Sequence, residues 1–145
     1  MVECSEGSRP VTLFVVDDDD VDVMGVQRAL RRLGSNYPVL RAKDGEEALA
    51  MLRAGLVPKP YVMLLDINMP RLNGMDTLAE LRSDAELCEA VVFLFTTSKD
   101  QQDKLRAYQQ HVAGYVVKQP SLNGMVDLVA MLDRYCSVVD LPMAE

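Results

Sequence analysis

The sequence predicts an α/β protein in which a parallel sheet is covered by helices on both faces. Three observations carry that prediction. Five short apolar runs alternate with segments of helical periodicity, the pattern of repeated βα units. The run Val91-Val92-Phe93-Leu94-Phe95 is apolar without alternation, as a strand buried on both faces requires. Finally, Asp17, Asp18, Asp66, Thr96 and Lys118 all fall at or just after the C-terminal end of such a run, where parallel sheets bind their ligands.

The elements follow in order. The first strand is Val11 to Val16, ending in Asp17-Asp18-Asp19-Asp20. Residues 20–33 then place Val23, Val26, Leu30 and Leu33 at helical spacing, and Gly34 is suited to the C-cap. Val39 to Ala42 is a short second strand. Asp44 predicts an N-cap, with Glu46 and Glu47 at the positive end of a helix that runs to about Ala54 and stops at Gly55. The third strand is 61–66. Its loop holds Pro70 and Gly74, and a helix runs from about Met75 to Ser83. The fourth strand, at Val91 to Phe95, precedes a helix from about Gln101 to His111. Gly114 to Val117 is the fifth strand, and Ser121 can cap a last helix whose buried face is Met125, Leu128, Val129 and Leu132.

Composition bounds what such a protein does. At 145 residues and 49% hydrophobic content the chain suits one domain with a real core. Residues 1–10 read as a flexible leader, 11–136 as the domain and 137–145 as a short tail, with no room for a second domain. The net charge of -7 argues against nucleic acid and anionic membrane surfaces as partners. Arg28, Arg31 and Arg32 form a solvated helix face. Cys4, Cys88 and Cys136 are odd in number and lack metal-ligand spacing, which predicts free thiols and a cytoplasmic setting. No signal peptide and no bilayer-spanning run is visible.

The aspartates at the ends of the first and third strands carry the chemistry. If the first and third strands lie side by side, Asp17, Asp18 and Asp66 converge at one sheet edge. Carboxylates so close would not all stay ionised without a cation between them. A hard ion such as Mg²⁺ suits oxygen donors and leaves room for a phosphate. Asp66 is then the candidate phosphoacceptor, since a carboxylate oxygen can attack phosphorus to form an acyl phosphate. Lys118 supplies a positive point charge and Thr96 a hydroxyl for the phosphoryl oxygens.

The motifs VVDDDD, LLDINMP with Gly74, FLFTTS and GYVVK together resemble the receiver domains of two-component response regulators, over roughly residues 11–136. The resemblance implies a flavodoxin-like (βα)5 three-layer sandwich with strand order 2-1-3-4-5. It implies a stand-alone signalling phosphoacceptor rather than an enzyme. Asp66 would take a phosphoryl group from a sensor histidine kinase or a histidine phosphotransfer protein, and the change would be passed to a downstream protein. On matching positions, Asp18 and Asp66 bind Mg²⁺ directly, Asp17 directly or through water, and Asn68 through its backbone carbonyl. Thr96 and Lys118 contact the phosphoryl group, and Tyr115 is the switch aromatic that turns inward with Thr96. Asn68 and Ser98 match positions that influence hydrolysis of the acyl phosphate. The expected switching surface is residues 100–136, which is also the candidate homodimer surface. The stretch from Thr96 to Tyr115 further resembles stand-alone receivers, some associated with phytochrome-type kinases.

One departure from the family is visible. Receivers usually carry Pro directly after this Lys, whereas the order here is Lys118-Gln119-Pro120. A cis bond before Gln119 would cost about 3–4 kcal/mol, against about 0.5–1 before a proline, so a trans bond and a rearranged loop are expected.

Two other functions are weighed. Asp17-Asp18-Asp19-Asp20-Val21 fits the DxDxV motif of haloacid-dehalogenase-type phosphohydrolases, with Asp17 attacking and Asp19 as acid/base, but leaves LLDINMP unexplained. A receiver-like binding module that is never phosphorylated would not need the complete set of acidic, Thr and Lys residues, although Gln119 in place of the family's Pro argues for it. An EF-hand is rejected, because Val23 stands where that loop needs Gly and Ala29 where it needs Glu. His111 is expected near a helix C-terminus rather than in a phosphorelay role.

Overall fold

The computed structural model describes residues 10–118 and 122–142. The Lys118–Gln119 bond, the Ser121 cap and Cys4 lie outside them. The elements are β1 (Thr12–Val16), α1 (Asp20–Leu33), β2 (Val39–Ala42), α2 (Gly45–Arg53), β3 (Tyr61–Leu65), α3 (Gly74–Ser83), β4 (Val91–Thr96), α4 (Gln101–Gln109), β5 (Gly114–Val117) and α5 (Leu122–Val138).

All neighbouring strands pair in parallel, in the order β2-β1-β3-β4-β5. Successive residues of each strand face opposite layers, and both faces are apolar. Leu13 and Val15 of β1, with Val62 and Leu64 of β3, pack against Val26, Leu30, Leu128, Val129 and Leu132 of α1 and α5. Phe14, Val16, Met63 and Leu65 pack on the opposite side against Leu49, Leu78, Leu81 and Ala107 of α2, α3 and α4. This is why the sequence shows unbroken apolar runs: a strand between two helix layers has no solvated face. Leu141, beyond α5, is also buried in the α1/α5 layer.

Helix ends are set locally. Asp19 caps α1 by accepting a bond from the Val21 N–H, and Gly34 ends it at φ 71° in the left-handed region. Asp44 caps α2 by accepting from the Glu47 N–H. Asn73 caps α3 at the Asp76 N–H, so that helix begins at Gly74, one residue before the expected Met75. The α4 helix ends at Gln109, two residues short of the expected His111, which lies beyond it at φ 62°.

Arg82 explains how that chain reversal is held. Its guanidinium donates to the carbonyls of Gln110 (2.7 Å), Cys88 (2.8 Å), Ala90 (2.8 Å) and His111 (3.0 Å). One side chain on α3 therefore ties the entry to β4 to the turn after α4. Five N–H donors in a planar fork allow this, and a lysine offers only a single ammonium point. Arg82→Ala is expected to cost about 2–3 kcal/mol of folding stability, the scale of charge-assisted hydrogen bonds left unmade. Arg82→Lys should recover less than half of that loss. Urea midpoints of the three proteins check both statements, and an unchanged midpoint in Arg82→Ala would refute the clasp.

Candidate functional site

Strand register builds the site. Val16 pairs with Leu65, so Asp17 and Asp66 leave adjacent strands at the same height. The Asp17 N–H donates to the Ala42 carbonyl (3.1 Å) and the Asp66 N–H to the Val16 carbonyl (3.0 Å), which holds both residues to the end of the sheet. The chain leaves β1 for β2 on one side, whereas β3 lies on the other. The crevice at such a switch point is the usual ligand position in this architecture.

Asp17, Asp18 and Asp66 each offer an oxygen, and the three oxygens lie within 4.8 Å of one another. Asp17 and Asp66 are buried, at 2% and 6% exposure, and Asp18 is exposed. This set of hard oxygen donors, open on one side, fits a divalent cation. The Asp19 N–H donates to Asp17 Oδ1 (2.9 Å), and the Asn68 N–H lies at 3.4 Å from Asp66 Oδ1. Asn68 itself is exposed beside the cluster.

Lys118 follows β5 and reaches the cluster from the far side of β4. Its N–H donates to the Thr96 carbonyl (2.7 Å), which fixes its backbone. Its Nζ lies 3.1 Å from Asp17 Oδ2 and 3.2 Å from Asp66 Oδ2, and 5.3 Å from the centre of the Phe95 ring. A third carboxylate, Asp22 of α1, is nearer still at 2.5 Å. The sequence did not single out Asp22. An acid in the first turn of a helix is already explained by the helix dipole. The available signal was its position one turn after Asp18, on the helix that follows the acidic cluster.

The loop after β3 is shaped by two glycines. A Cβ on Gly74 would collide with the Asp66 carbonyl oxygen, and one on Gly45 with the Thr77 hydroxyl and the Leu72 carbonyl. Gly74 N–H donates to the Ile67 carbonyl (2.8 Å) and Gly45 N–H to that of Leu72 (3.1 Å). Arg71, at φ 64°, closes the loop on Asp44 with contacts of 2.6 and 2.9 Å. On the other side, Arg41 Nε donates to the Asp17 carbonyl (3.1 Å) and its Nη1 pairs with Asp20 (2.6 Å).

Thr96 ends β4 fully buried, and its hydroxyl accepts from the Ser98 N–H at 3.3 Å. No hydrogen bond among the described residues links it to the carboxylates. The Tyr115 hydroxyl donates to the Ser98 carbonyl (2.9 Å), and the Ser98 hydroxyl to Asp103 (2.7 Å). The site thus joins Asp17, Asp18, Asp66 and Lys118 directly, with Thr96 and Tyr115 meeting at the β4–α4 loop. Asp19 is engaged as the α1 cap, so the phosphohydrolase assignment of Asp19 as acid/base gains no support.

Burial pushes the Asp17 carboxyl up to about 7; the Asp19 N–H and Lys118 pull it down, and Asp66 adds to the rise. Burial disfavours the charged form of Lys118, but Asp22, Asp17 and Asp66 outweigh it and raise that pKa above its ordinary value. The free site is therefore an acidic pocket short of positive charge.

Fold and site together define a receiver of the two-component type, with an acidic pocket that fits a phosphoacceptor site. The family profile described as "Response regulator receiver domain" matches residues 13–130, and the chain belongs to that family. It is 28% identical over 144 residues to the response regulator Rcp1 of Synechocystis sp., covering 96% of this chain and 98% of that one. Among solved structures it resembles the phosphorylated cyanobacterial phytochrome response regulator RcpA, with TM-score 0.84 and 30% identity over 92% of this chain and 99% of that one. It also resembles the Mn²⁺-bound form of Rcp1, with TM-score 0.82 and 28% identity over the same shares. None of the described helices is long and apolar enough to cross a membrane.

The raised Asp17 pKa has a signed consequence. Its folded value of about 7 lies above the ordinary 3.8, so the folded state binds the proton more tightly in that window. Cation-free protein then loses this contribution to stability as pH rises between those values. With a chelator present, Asp17→Asn should melt above wild type at about pH 8, and the gap should narrow toward about pH 4.5 as Asp17 protonates. Thermal melts at the two pH values check this; a gap independent of pH would show that Asp17 is not the titrating group.

Proposed function

We propose that residues 11–136 act as a receiver that takes a phosphoryl group on Asp66 in a Mg²⁺-dependent reaction and thereby changes its protein contacts. The observation that carries this reading is the cluster of Asp17, Asp18 and Asp66 within 4.8 Å, with the Lys118 ammonium against two of its members. An Asp66 carboxylate oxygen attacks the phosphorus of a phosphohistidine. The P–N bond breaks, its electron pair stays on the imidazole nitrogen, and solvent supplies that nitrogen's proton. The donor is a sensor histidine kinase or a histidine phosphotransfer protein. The product is an aspartyl phosphate, so the protein is a signalling phosphoacceptor and turns over no separate substrate.

Asp17, Asp18, Asp66 and the Asn68 backbone carbonyl are the residues that would hold Mg²⁺. Once bound, the ion supplies charge neutralisation for the entering phosphoryl group. Lys118 neutralises a further phosphoryl oxygen, and the Thr96 hydroxyl donates to another. The Mn²⁺-bound form of Rcp1 and the phosphorylated form of RcpA support both halves of this assignment.

The output follows from the β4–α4 loop. If the Thr96 hydroxyl turns to the phosphoryl group, it gives up the Ser98 N–H, and the Ser98 carbonyl that holds Tyr115 moves with the loop. Phosphorylation then biases an existing equilibrium across residues 100–136. Leu105 and Tyr108 of α4, at 60% and 50% exposure, give that surface apolar anchors for a downstream protein or a second copy.

Intact-protein mass after incubation with Mg²⁺ and acetyl phosphate tests the reading. Wild type is expected to gain a single phosphoryl group, to need Mg²⁺ for it and to lose it in Asp66→Asn. Phosphorylation that survives in Asp66→Asn but vanishes in Asp17→Asn would instead favour the phosphohydrolase assignment.

A further inference from the structure

Three donors of one ammonium meet three carboxylates at this site. Two of them, Asp17 and Asp66, belong to the cation cluster; the third, Asp22, does not. A divalent ion bound by Asp17 and Asp66 would repel Lys118 from both. Asp22 is the partner that stays available, and at 2.5 Å it is already the shortest of the three contacts. It is set on the first turn of α1, whose start is fixed by the Asp19 cap and whose Val23 and Val26 are buried beside it. The Asp22 side chain is thus anchored by a rigid element, and it is 19% exposed. Lys118 is bounded on another side by the Phe95 ring.

We propose that Asp22 is a positioning residue for Lys118, an inference that rests on the receiver function proposed above. It gives the ammonium a resting partner outside the cation cluster. The cation then need not compete with Lys118 for Asp17 and Asp66, and Lys118 stays within reach of a phosphoryl group on Asp66. Asp22 lies outside the carboxylate cluster and acts only through Lys118. Its charge is essential to that role, because a neutral partner would not hold an ammonium against two carboxylates.

Two readouts are needed, Mg²⁺ affinity by titration calorimetry and the rate of Asp66 phosphorylation by acetyl phosphate at saturating Mg²⁺. Asp22→Asn is expected to weaken Mg²⁺ binding and to slow phosphorylation, each by about 10-fold, the low end for residues that orient a ligand or its partner. Asp22→Glu, which keeps the charge, should recover most of both. In a Lys118→Met background the Asp22→Asn change should alter Mg²⁺ affinity by less than about 2-fold, because the group through which it acts is gone. Circular dichroism melts of each variant establish that α1 is intact before the readouts are compared.

Wild-type affinity and rate in Asp22→Asn would overturn the inference, and so would a faster rate. An equal loss of affinity in the Lys118→Met background would also overturn it, since that is the mark of a distant charge acting directly on the cation. Wild type that binds Mg²⁺ but is not phosphorylated would count against the proposed function alone, and the affinity cycle would still decide the role of Asp22. Wild type that binds no Mg²⁺ would overturn both.

Discussion

The Lys118 ammonium lies 2.5–3.2 Å from Asp22, Asp17 and Asp66, and the rest of the site depends on that charge balance. Two ionised carboxylates with oxygens within 4.8 Å repel by roughly 3–4 kcal/mol at an effective dielectric of about 20. An ammonium at 3.1 Å attracts a carboxylate by roughly 5 kcal/mol on the same basis. Lys118, in contact with both buried acids, can therefore offset the repulsion among them, but the cost of burying their charge remains. The elevated Asp17 pKa expresses that deficit, as does the fit of the pocket to a divalent cation.

The packing of the sheet creates the deficit and makes it useful. Val16 and Leu65 are fully buried at the strand ends, with no solvated face, and the next residues in each strand are Asp17 and Asp66. The apolar layers that stabilise the fold thus deliver two carboxylates to the edge of a low-dielectric interior. Gly74 and Gly45 allow the following loops to close against Asp66 and Leu72 without side-chain volume. The Arg71–Asp44 pair closes the same loop from the α2 side. Hydrophobic burial therefore sets the positions, and the electrostatic tension is held in place rather than relaxed.

Much of this was legible in the chain because the signals are local or periodic. Both-face apolar runs gave the strands, and Gly34 and Asp44 marked helix ends through conformational and capping chemistry that needs no tertiary contact. Asp17, Asp18, Asp66 and Lys118 were legible as residues at strand ends, and the register brings them together. What escaped depends on packing. The end of α4 follows from the left-handed His111 and from Arg82, which reaches it from α3, and neither leaves a mark in the periodicity of residues 101–111. Asp22 escaped because its partner is 96 residues away in sequence. The local explanation for an acid in a first helical turn was also sufficient by itself.

The β4–α4 loop shows how a charge change at Asp66 can be felt at the surface under the proposed function. The Thr96 hydroxyl, the Ser98 N–H, the Ser98 carbonyl and the Tyr115 hydroxyl form a relay of two hydrogen bonds that meet at one residue. Ser98 is also held by its own hydroxyl to Asp103 in the first turn of α4. Any displacement of Ser98 therefore acts on a strand, β5, and a helix, α4, at once. Neutral hydrogen bonds of about 1 kcal/mol are weak enough to be exchanged and strong enough in combination to shift a population. A phosphoryl oxygen carries charge, and a hydroxyl donating to it makes a stronger bond than one that only accepts from a backbone N–H. If Asp66 is phosphorylated as proposed, the direction of bias is set by chemistry: Thr96 would gain more at the phosphorylated site than it would give up at Ser98.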